Sequence, residues 1–440
     1  MPGTVVVTAA EAVGPDPVLA FLLQVVVLLT SAMVLGRVAV RLGLPAIVGE
    51  LCVGVLLGPS VLGHAAPALS HWLLPQGADK TGLFGGLAQI GVLLLIGLTG
   101  VGIDGALFRR KGRAALRVGI LALVVPLSLG VLAGWLMPER QLPPGADRPT
   151  AALFLGVAMG ISALPVTAKI LMDMKLFHRN VGQLTLMAAA LDDVAGWVLL
   201  SFASVMVTAG LGGGNAVALL YPCAFVTVAW LAGRPLTRLA VRLAMRSAEA
   251  GPVIVVTIAV TLCCAAAAHV LGMDAVFGAF VGGLLVGSAR EDVAARLAPL
   301  RTVTLAVLAP LFFATAGLHV DLLVLADPGI VVLGLVLLVI AVLGKFAGAY
   351  AGARLVGLTS WEGVAVGAGL NARGVVEIVV AGVGLRLGVL NDELYTIIVL
   401  IAIITSIMAP PILRAAMSRI EQTAEERLRA LHADPAPLEH

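Results

Sequence analysis

Two adjacent aspartates, Asp192 and Asp193, stand in the apolar run "AAALDDVAGWVLL" (188–200), and no other charged residue lies between Arg179 and Arg234. An aspartate at the centre of a membrane helix costs about 2.5–3.5 kcal/mol on insertion scales, and two cost about double. Carboxylates kept at that cost are suited to binding protons or cations. Neighbouring helix positions lie about 100° apart, so the pair must divide its attention. One carboxylate is expected to line a hydrated cavity and the other to meet a cation of the protein. A buried structural ion pair, or a helix end nearer the interface, is the plainer alternative. Lys345, in "VIAVLGKFAGAY", is the only charge between Asp327 and Arg354 and is the expected partner. Mutual neutralisation would offset much of the desolvation of both groups; snorkelling to the interface is the alternative.

Two other stretches read as interrupted helices. "GISALPVTAKI" (160–170) sets Ser162, Ala163, Leu164 and Pro165 inside an apolar run, and proline removes a backbone donor and clashes with the preceding turn. "GAGLNARGVVEIVV" (367–380) holds Gly369, Leu370, Asn371, Arg373, Gly374 and Glu377. Unwound membrane segments present carbonyls and half-helix ends to ions, and are tolerated only beside protein or water. Ordinary kinks are the alternative. If the segments cross, Arg373 and Glu377 would offset the helix dipole ends, although at i,i+4 a local salt bridge explains them equally well. Glu50 reads as structural, Asp104 and Asp321 as capping or interface residues, and His269, Asp274 and His319 as packed or hydrogen-bonded groups rather than pH sensors. No phosphate loop, zinc spacing or nucleophile constellation is present, so neither an enzyme nor a cofactor is expected.

These residues need a membrane scaffold. Of the 440 residues 60% are hydrophobic and 12% charged, against about 25% charged in soluble domains. The mean hydropathy is +1.07. Apolar runs near 20 residues predict an all-α polytopic membrane protein with about thirteen spans: 18–36, 45–63, 83–103, 114–137, 150–169, 184–207, 216–232, 252–271, 274–289, 302–324, 329–353, 360–385 and 394–413. Pro310 makes the tenth span, and shortness the ninth, the least regular of these. With the N-terminus outside, 22 of the 28 basic residues fall in inside loops, including the runs 109–117 and 234–246, as the positive-inside rule requires. The C-terminus is then cytoplasmic and the protein multi-pass in the plasma membrane. The segment before Val18 lacks a basic residue and carries Glu11 and Asp16, unlike a cleavable signal. The four cysteines form neither a metal-binding spacing nor a disulfide framework.

The chain also repeats itself. "GELCVGVLLG" (49–58) resembles "GAFVGGLLVG" (278–287) at an offset of 229, "GVGID" (100–104) resembles "GLHVD" (317–321) at 217, and "GVAMG" (156–160) resembles "GVAVG" (363–367) at 207. Three matches in the same order predict two homologous halves, spans 1–6 and 8–13, joined by span 7. An odd number of crossings per repeat and connector makes the repeat inverted, a transporter arrangement with its site near the midplane.

Thirteen spans, an inverted repeat, a mid-membrane Asp-Asp pair and a lone downstream lysine together resemble the second branch of the monovalent cation/proton antiporters. "GLNARGVVEIVV" and "VLNDELYTIIVLIAIITSIMAPPIL" are similar to the plant cation/H+ exchangers and their bacterial relatives, and the likeness covers about 18–416. The resemblance implies a dimerisation part (about 18–103 and 252–324), a mobile core (about 114–207 and 329–416) and a connecting helix (216–232), with crossed broken helices in the core. It implies that Na+ or K+ and protons meet at Asp193 with Asp192, that Lys345 pairs with Asp192, and that the protein is a homodimer. Outside this region lie an extracellular N-terminal segment (1–17) and a short cytoplasmic tail (417–440), so the large regulatory domains of some relatives are not expected. The implied function is exchange of a monovalent cation for protons by alternating access. The expected partners are those ions and the lipid bilayer, with no nucleic acid. A cation channel or efflux pore on the same scaffold, or a proton-coupled exporter of a small organic solute, stands as the alternative.

Overall fold

Apolar runs punctuated by glycine, proline and capping residues fold into helices throughout. The computed structural model describes residues 17–73, 78–102, 105–209, 220–289 and 293–426, and no strand occurs among them. Asp104, the first sixteen residues and the end of the tail lie outside the described residues. The first half comprises α1 (Pro17–Arg41), α2 (Ala46–Leu57), α3 (Ala78–Val101), α4 (Gly105–Leu136), α5 (Arg148–Gly160), α6 (Leu164–Asp173) and α7 (Asn180–Ala209). The connector is α8 (Tyr221–Val228) and α9 (Arg234–Met245). The second half comprises α10 (Gly251–Val270), α11 (Ala275–Gly287), α12 (Ala309–Leu318), α13 (Pro328–Leu355), α14 (Ser360–Leu370), α15 (Val375–Arg386) and α16 (Asp392–Met417). Side chains close several helix starts. Asp147, Asp274, Asp327 and Asn391 accept backbone N–H groups at the starts of α5, α11, α13 and α16. Thr359 and Glu362 cap α14 reciprocally.

Every predicted span contains helix, but thirteen is not the number that length and hydropathy return. Among the described residues nine helices are long and apolar enough to cross a membrane, and the α14–α15 pair, bent by 47°, makes a tenth. The apolar stretch Gly85–Val101 of α3 and the 13-residue α11 are shorter. Two boundaries also move. The described connector helix does not stop at 232 before a basic loop. α8 passes through a π-helical turn at Ala229–Gly233 straight into α9, so the basic run 234–246 is mostly helical. Pro235 follows that π-helical turn, which accommodates its missing N–H. Pro310 is accommodated in the same way, after a π-helical turn at Thr304–Leu308.

The helices pack in two groups. α1, α2, α3, α10, α11 and α12 contact one another, while α4 lies along α13 and against α5 and α7, and α14 packs on α13, α16 and α7. Glycines set the spacing in the first group, and they do so twice. A Cβ on Gly54 would come within 2.0 Å of the Ala314 carbonyl and 2.5 Å of Gly317; a Cβ on Gly283 would come within 1.9 Å of the Gly97 carbonyl and 3.1 Å of Gly100. Gly317 and Gly100 in turn abut the carbonyls of Leu51 and Phe280, and Gly49 and Gly278 those of Leu35 and Cys264. Each pair is related by the offsets 229 or 217 of the sequence repeat. The repeat is therefore a repeat of backbone-to-backbone helix contacts, which only small residues permit.

Candidate functional site

The second group of helices holds the charged residues. The helix of "GISALPVTAKI" stops at Gly160, runs extended through Ile161 and Ala163, and restarts at Leu164 with Pro165 in the first turn. The other breaks between Leu370 and Val375. The breaks touch: the backbone N–H of Ala163 donates to the Ala372 carbonyl at 3.2 Å, and the Thr167 hydroxyl donates to the Gly369 carbonyl at 3.0 Å. The two interrupted helices thus meet where each is unwound, and each satisfies part of the other's freed backbone.

Four helix ends converge there, and three of them meet charged side chains. At the C-terminal end of α5, Lys345 Nζ donates to the Gly160 carbonyl at 2.6 Å, and Arg373 donates to the Ala158 carbonyl at 2.8 Å and to that of Met159. Two cations therefore face a negative dipole end. At the N-terminal end of α6, the Leu164 N–H points to Asp193 Oδ1 at 3.5 Å. At the N-terminal end of α15, the Gly374 N–H donates to Glu377 Oε2 at 2.6 Å. Carboxylates thus face both positive ends. Glu377 also lies 3.3 Å from Arg373, so the dipole contacts and the local pair coexist. At the C-terminal end of α14 no basic side chain is hydrogen-bonded among the described residues.

The two aspartates have different surroundings. Asp192 Oδ2 accepts from Lys345 Nζ at 2.7 Å and from the Ser162 hydroxyl at 2.7 Å. Asp193 has no ion pair among the described residues; its Oδ2 is buried without a hydrogen-bond partner, as is Asp192 Oδ1. Asp192, Asp193 and Glu377 are each 1% exposed, and Lys345 and Arg373 0%. Three carboxylates against two cations leave this buried cluster at −1 when all are ionised.

Other residues fall outside the cluster. Glu50 packs against Gly36 of α1. Asp321 accepts the Leu323 N–H, Asp274 pairs with Arg386 at 3.2 Å, and His319 lies edge-on to Tyr395. His269 is exposed. Sequence reasoning passed over Thr167 and Ser406, whose hydroxyls bond the carbonyls of Gly369 and Arg373. Their signal was faint: a polar residue beside a break, and a serine four residues before Pro410.

Two cavities flank the crossing. One, of about 350 Å³, includes Leu98, Thr99, Leu164, Pro165, Met187 and Ala190, and so reaches the α6 end beside Asp193. The other, of about 250 Å³, includes Gln89, Thr315, His319, Ile378, Arg386 and Tyr395. Leu98 and Thr99 of the first correspond, at the offset of 217, to Thr315 and Ala316 of the second. The cavities are therefore repeat mates, each lying between the two groups of helices. Around the second, polar contacts join the groups: Asp274 with Arg386, Tyr395 Oη to the Ala316 carbonyl at 2.8 Å, and the Asp321 N–H to Thr396 at 3.1 Å.

Comparison with known proteins accounts for this geometry. The family profile described as "Sodium/hydrogen exchanger, transmembrane" matches residues 25–419. The chain is 30% identical to Cation/H(+) antiporter 18 of Arabidopsis thaliana over 94% of its own length and 51% of that protein's. It is 28% identical to Na(+)/H(+) antiporter NhaS4 of Synechocystis sp., over 90% of this chain and 97% of that one. The chain spans about half the length of the plant relatives it matches. The sodium proton antiporter MjNhaP1 from Methanocaldococcus jannaschii shares its fold, with a TM-score of 0.66 at 15% identity, covering 94% of this chain and 99% of that one. An all-helical inverted repeat with crossed broken helices, and a profile match over nearly the whole membrane region, place this chain in the transmembrane sodium/hydrogen exchanger family.

Proposed function

We propose that this protein exchanges a monovalent cation, Na+ or K+, for protons, with Asp193 as the group both ions occupy. The observation that carries the assignment is the unpaired carboxylate of a buried cluster with one acid in excess. Empty, the cluster bears a net charge that is costly to bury. One proton or one monovalent cation on Asp193 cancels it. A neutral core can slide past its scaffold, whereas a charged one is held back by desolvation, so the loaded forms are the mobile ones. Because either ion fills the same vacancy in charge, each excludes the other and exchange is obligatory. Asp192, held by Lys345 and Ser162, fixes the local field and leaves Asp193 to the transported ion. The names of NhaS4 and of the Na(+)/H(+)-K(+) antiporter GerN of Bacillus cereus, 27% identical to this chain, support this ion class.

The paired cavities support alternating access. In this conformation the Leu164 cavity approaches Asp193, and polar contacts close the side bearing Tyr395 and Arg386. Rigid-body movement of the α4–α7 and α13–α16 group against the α1–α3 and α10–α12 group would exchange the roles of the two cavities. We assign the latter group to homodimer contacts and α8–α9 to the connection. We assign the C-terminus to the cytoplasm and the N-terminus to the outside of the plasma membrane, a reading the distribution of basic residues supports. Reconstitution in proteoliposomes carrying a pH indicator tests the assignment. Asp193→Asn should abolish cation-dependent proton flux; retained flux would overturn it.

A further inference from the structure

Asn371 ends α14 inside the crossing. Its side chain is 0% exposed, yet neither its Oδ1 nor its Nδ2 has a hydrogen-bond partner. Leaving one such atom unsatisfied costs about 1–3 kcal/mol, and a fully buried amide with both atoms unused calls for a specific reason. The backbone on either side is engaged: the Asn371 N–H bonds the Gly367 carbonyl, the Ala372 carbonyl accepts from Ala163, and Gly369 lies against Thr185 of α7. Asn371 is therefore pinned between α6 and α7, the helices that carry Leu164 and the aspartates. Among the described residues, buried side-chain oxygens without partners on these elements are Asp192 Oδ1, Asp193 Oδ2 and Asn371 Oδ1 and, about two to three turns further along α7, the hydroxyls of Ser201 and Ser204. Asn371 also stands at the α14 end, where no cationic side chain is bonded.

We infer that Asn371 is a cation ligand of the exchange site and a determinant of its ion selectivity, its amide oxygen completing the oxygen shell around an ion on Asp193. The inference rests on the exchange reading above. A carboxylate accepts a proton and a metal cation alike. An amide oxygen is an acceptor for a hard cation and is not protonated in the physiological range. Asn371 therefore favours the cation in a competition that Asp193 alone leaves even. At the negative end of a half-helix, the bound cation would take the part that Lys345 and Arg373 play at the end of α5.

The test is full-length protein in proteoliposomes, with initial rates measured against Na+, K+ and Li+ at several pH values. Asn371→Leu keeps the volume without the oxygen, and Asn371→Ser keeps an oxygen. For Asn371→Leu the half-saturating cation concentration should rise about tenfold or more and the Na+/K+ ratio should change. The half-saturating cation concentration should change by a larger factor than the rate at saturating cation or the proton dependence at low cation, and Asn371→Ser should lie between. Cation-induced thermal stabilisation in detergent should weaken in the same order, which keeps the prediction readable in a variant that transports poorly. Unchanged half-saturation and selectivity in Asn371→Leu, or an equal loss of rate at every cation concentration and pH, would overturn the inference. Those outcomes leave Asp193 untouched, whereas flux retained by Asp193→Asn would remove the exchange reading itself.

Discussion

Lys345 is the residue on which the geometry of the crossing makes its sharpest energetic demand. Its ammonium is 0% exposed and is held by the Asp192 carboxylate at 2.7 Å and the Gly160 carbonyl at 2.6 Å. Lys345→Leu keeps most of the volume and deletes the charge. Asp192 is then left with Ser162, and the α5 end keeps only Arg373. Removing one partner of a buried ion pair costs about 3–5 kcal/mol, because the other charge stays buried. At about 2 °C per kcal/mol, the low end suited to a large chain, the melting temperature should fall by about 6–10 °C. Asp192→Asn should cost less, since Ser162 and Lys345 can both bond an amide oxygen. The decisive measurement is the double variant. Asp192→Asn in the Lys345→Leu background removes the stranded charge and should recover part of the loss, so the two changes should be non-additive. Melting followed in detergent or nanodiscs at one scan rate gives the four values. If the losses simply add, Lys345 and Asp192 are not energetically coupled, and the division of labour between the aspartates fails with them.

Two further perturbations probe the rest of the fold. Glu426 accepts the backbone N–H groups of Asn180 and Thr423 and pairs with Arg179 at 3.2 Å, docking the segment after α16 on the start of α7. Burial raises its pKa, but the two N–H groups and then the guanidinium outweigh this and hold the carboxyl below its ordinary 4.5. The docking should therefore be fully present above about pH 4.5 and be lost as pH falls through the lower folded value. Hydrogen exchange over 420–426 should rise there, and Glu426→Gln should raise it at neutral pH; protection unchanged in the variant would contradict the contact. At the repeat contacts, Gly54→Ala and Gly283→Ala should each cost about 1–3 kcal/mol or more by overpacking, while Gly251→Ala, with nothing within 4 Å, should cost little. Equal melting temperatures for all three would refute the close approach.

The sequence carried different parts of this architecture with different clarity. Asp192, Asp193 and Lys345 were legible because a charge in an apolar run has few explanations, and desolvation makes each one conspicuous. The glycine repeat was legible because close backbone approach tolerates only one residue type. Helix ends near Pro235 and Pro310 were not, because a π-helical turn can absorb a proline, and that depends on packing on both sides. Asn371 was visible only as part of a break. Its importance comes from an amide with no partner, which is a property of the three-dimensional surroundings and leaves no mark in spacing. Thr167 and Ser406 were hidden for the same reason, since a hydroxyl in a membrane helix ordinarily bonds its own preceding turn, as Thr185 does.

The two halves are alike in framework and unlike in chemistry, and this bears on how the proposed exchange would be coupled. Scaffold glycines correspond one to one across the repeat. The charged residues do not: the offset of 207 takes Arg373 to Val166 and Glu377 to Ile170, and Asp193 to Leu400. The acid pair comes from the first half, and both cations from the second. Neither half alone can balance its buried charge, so the cluster forms only where the broken helices cross and the halves interlock. The symmetric scaffold supplies two equivalent ways of standing the core against its partner, one for each cavity. The asymmetric cluster would supply, in the proposed exchange, a single place for an ion. Two equivalent access routes to one site are what alternating access requires, and under the proposed exchange a site of net charge −1 would make the passage between them depend on an ion being bound.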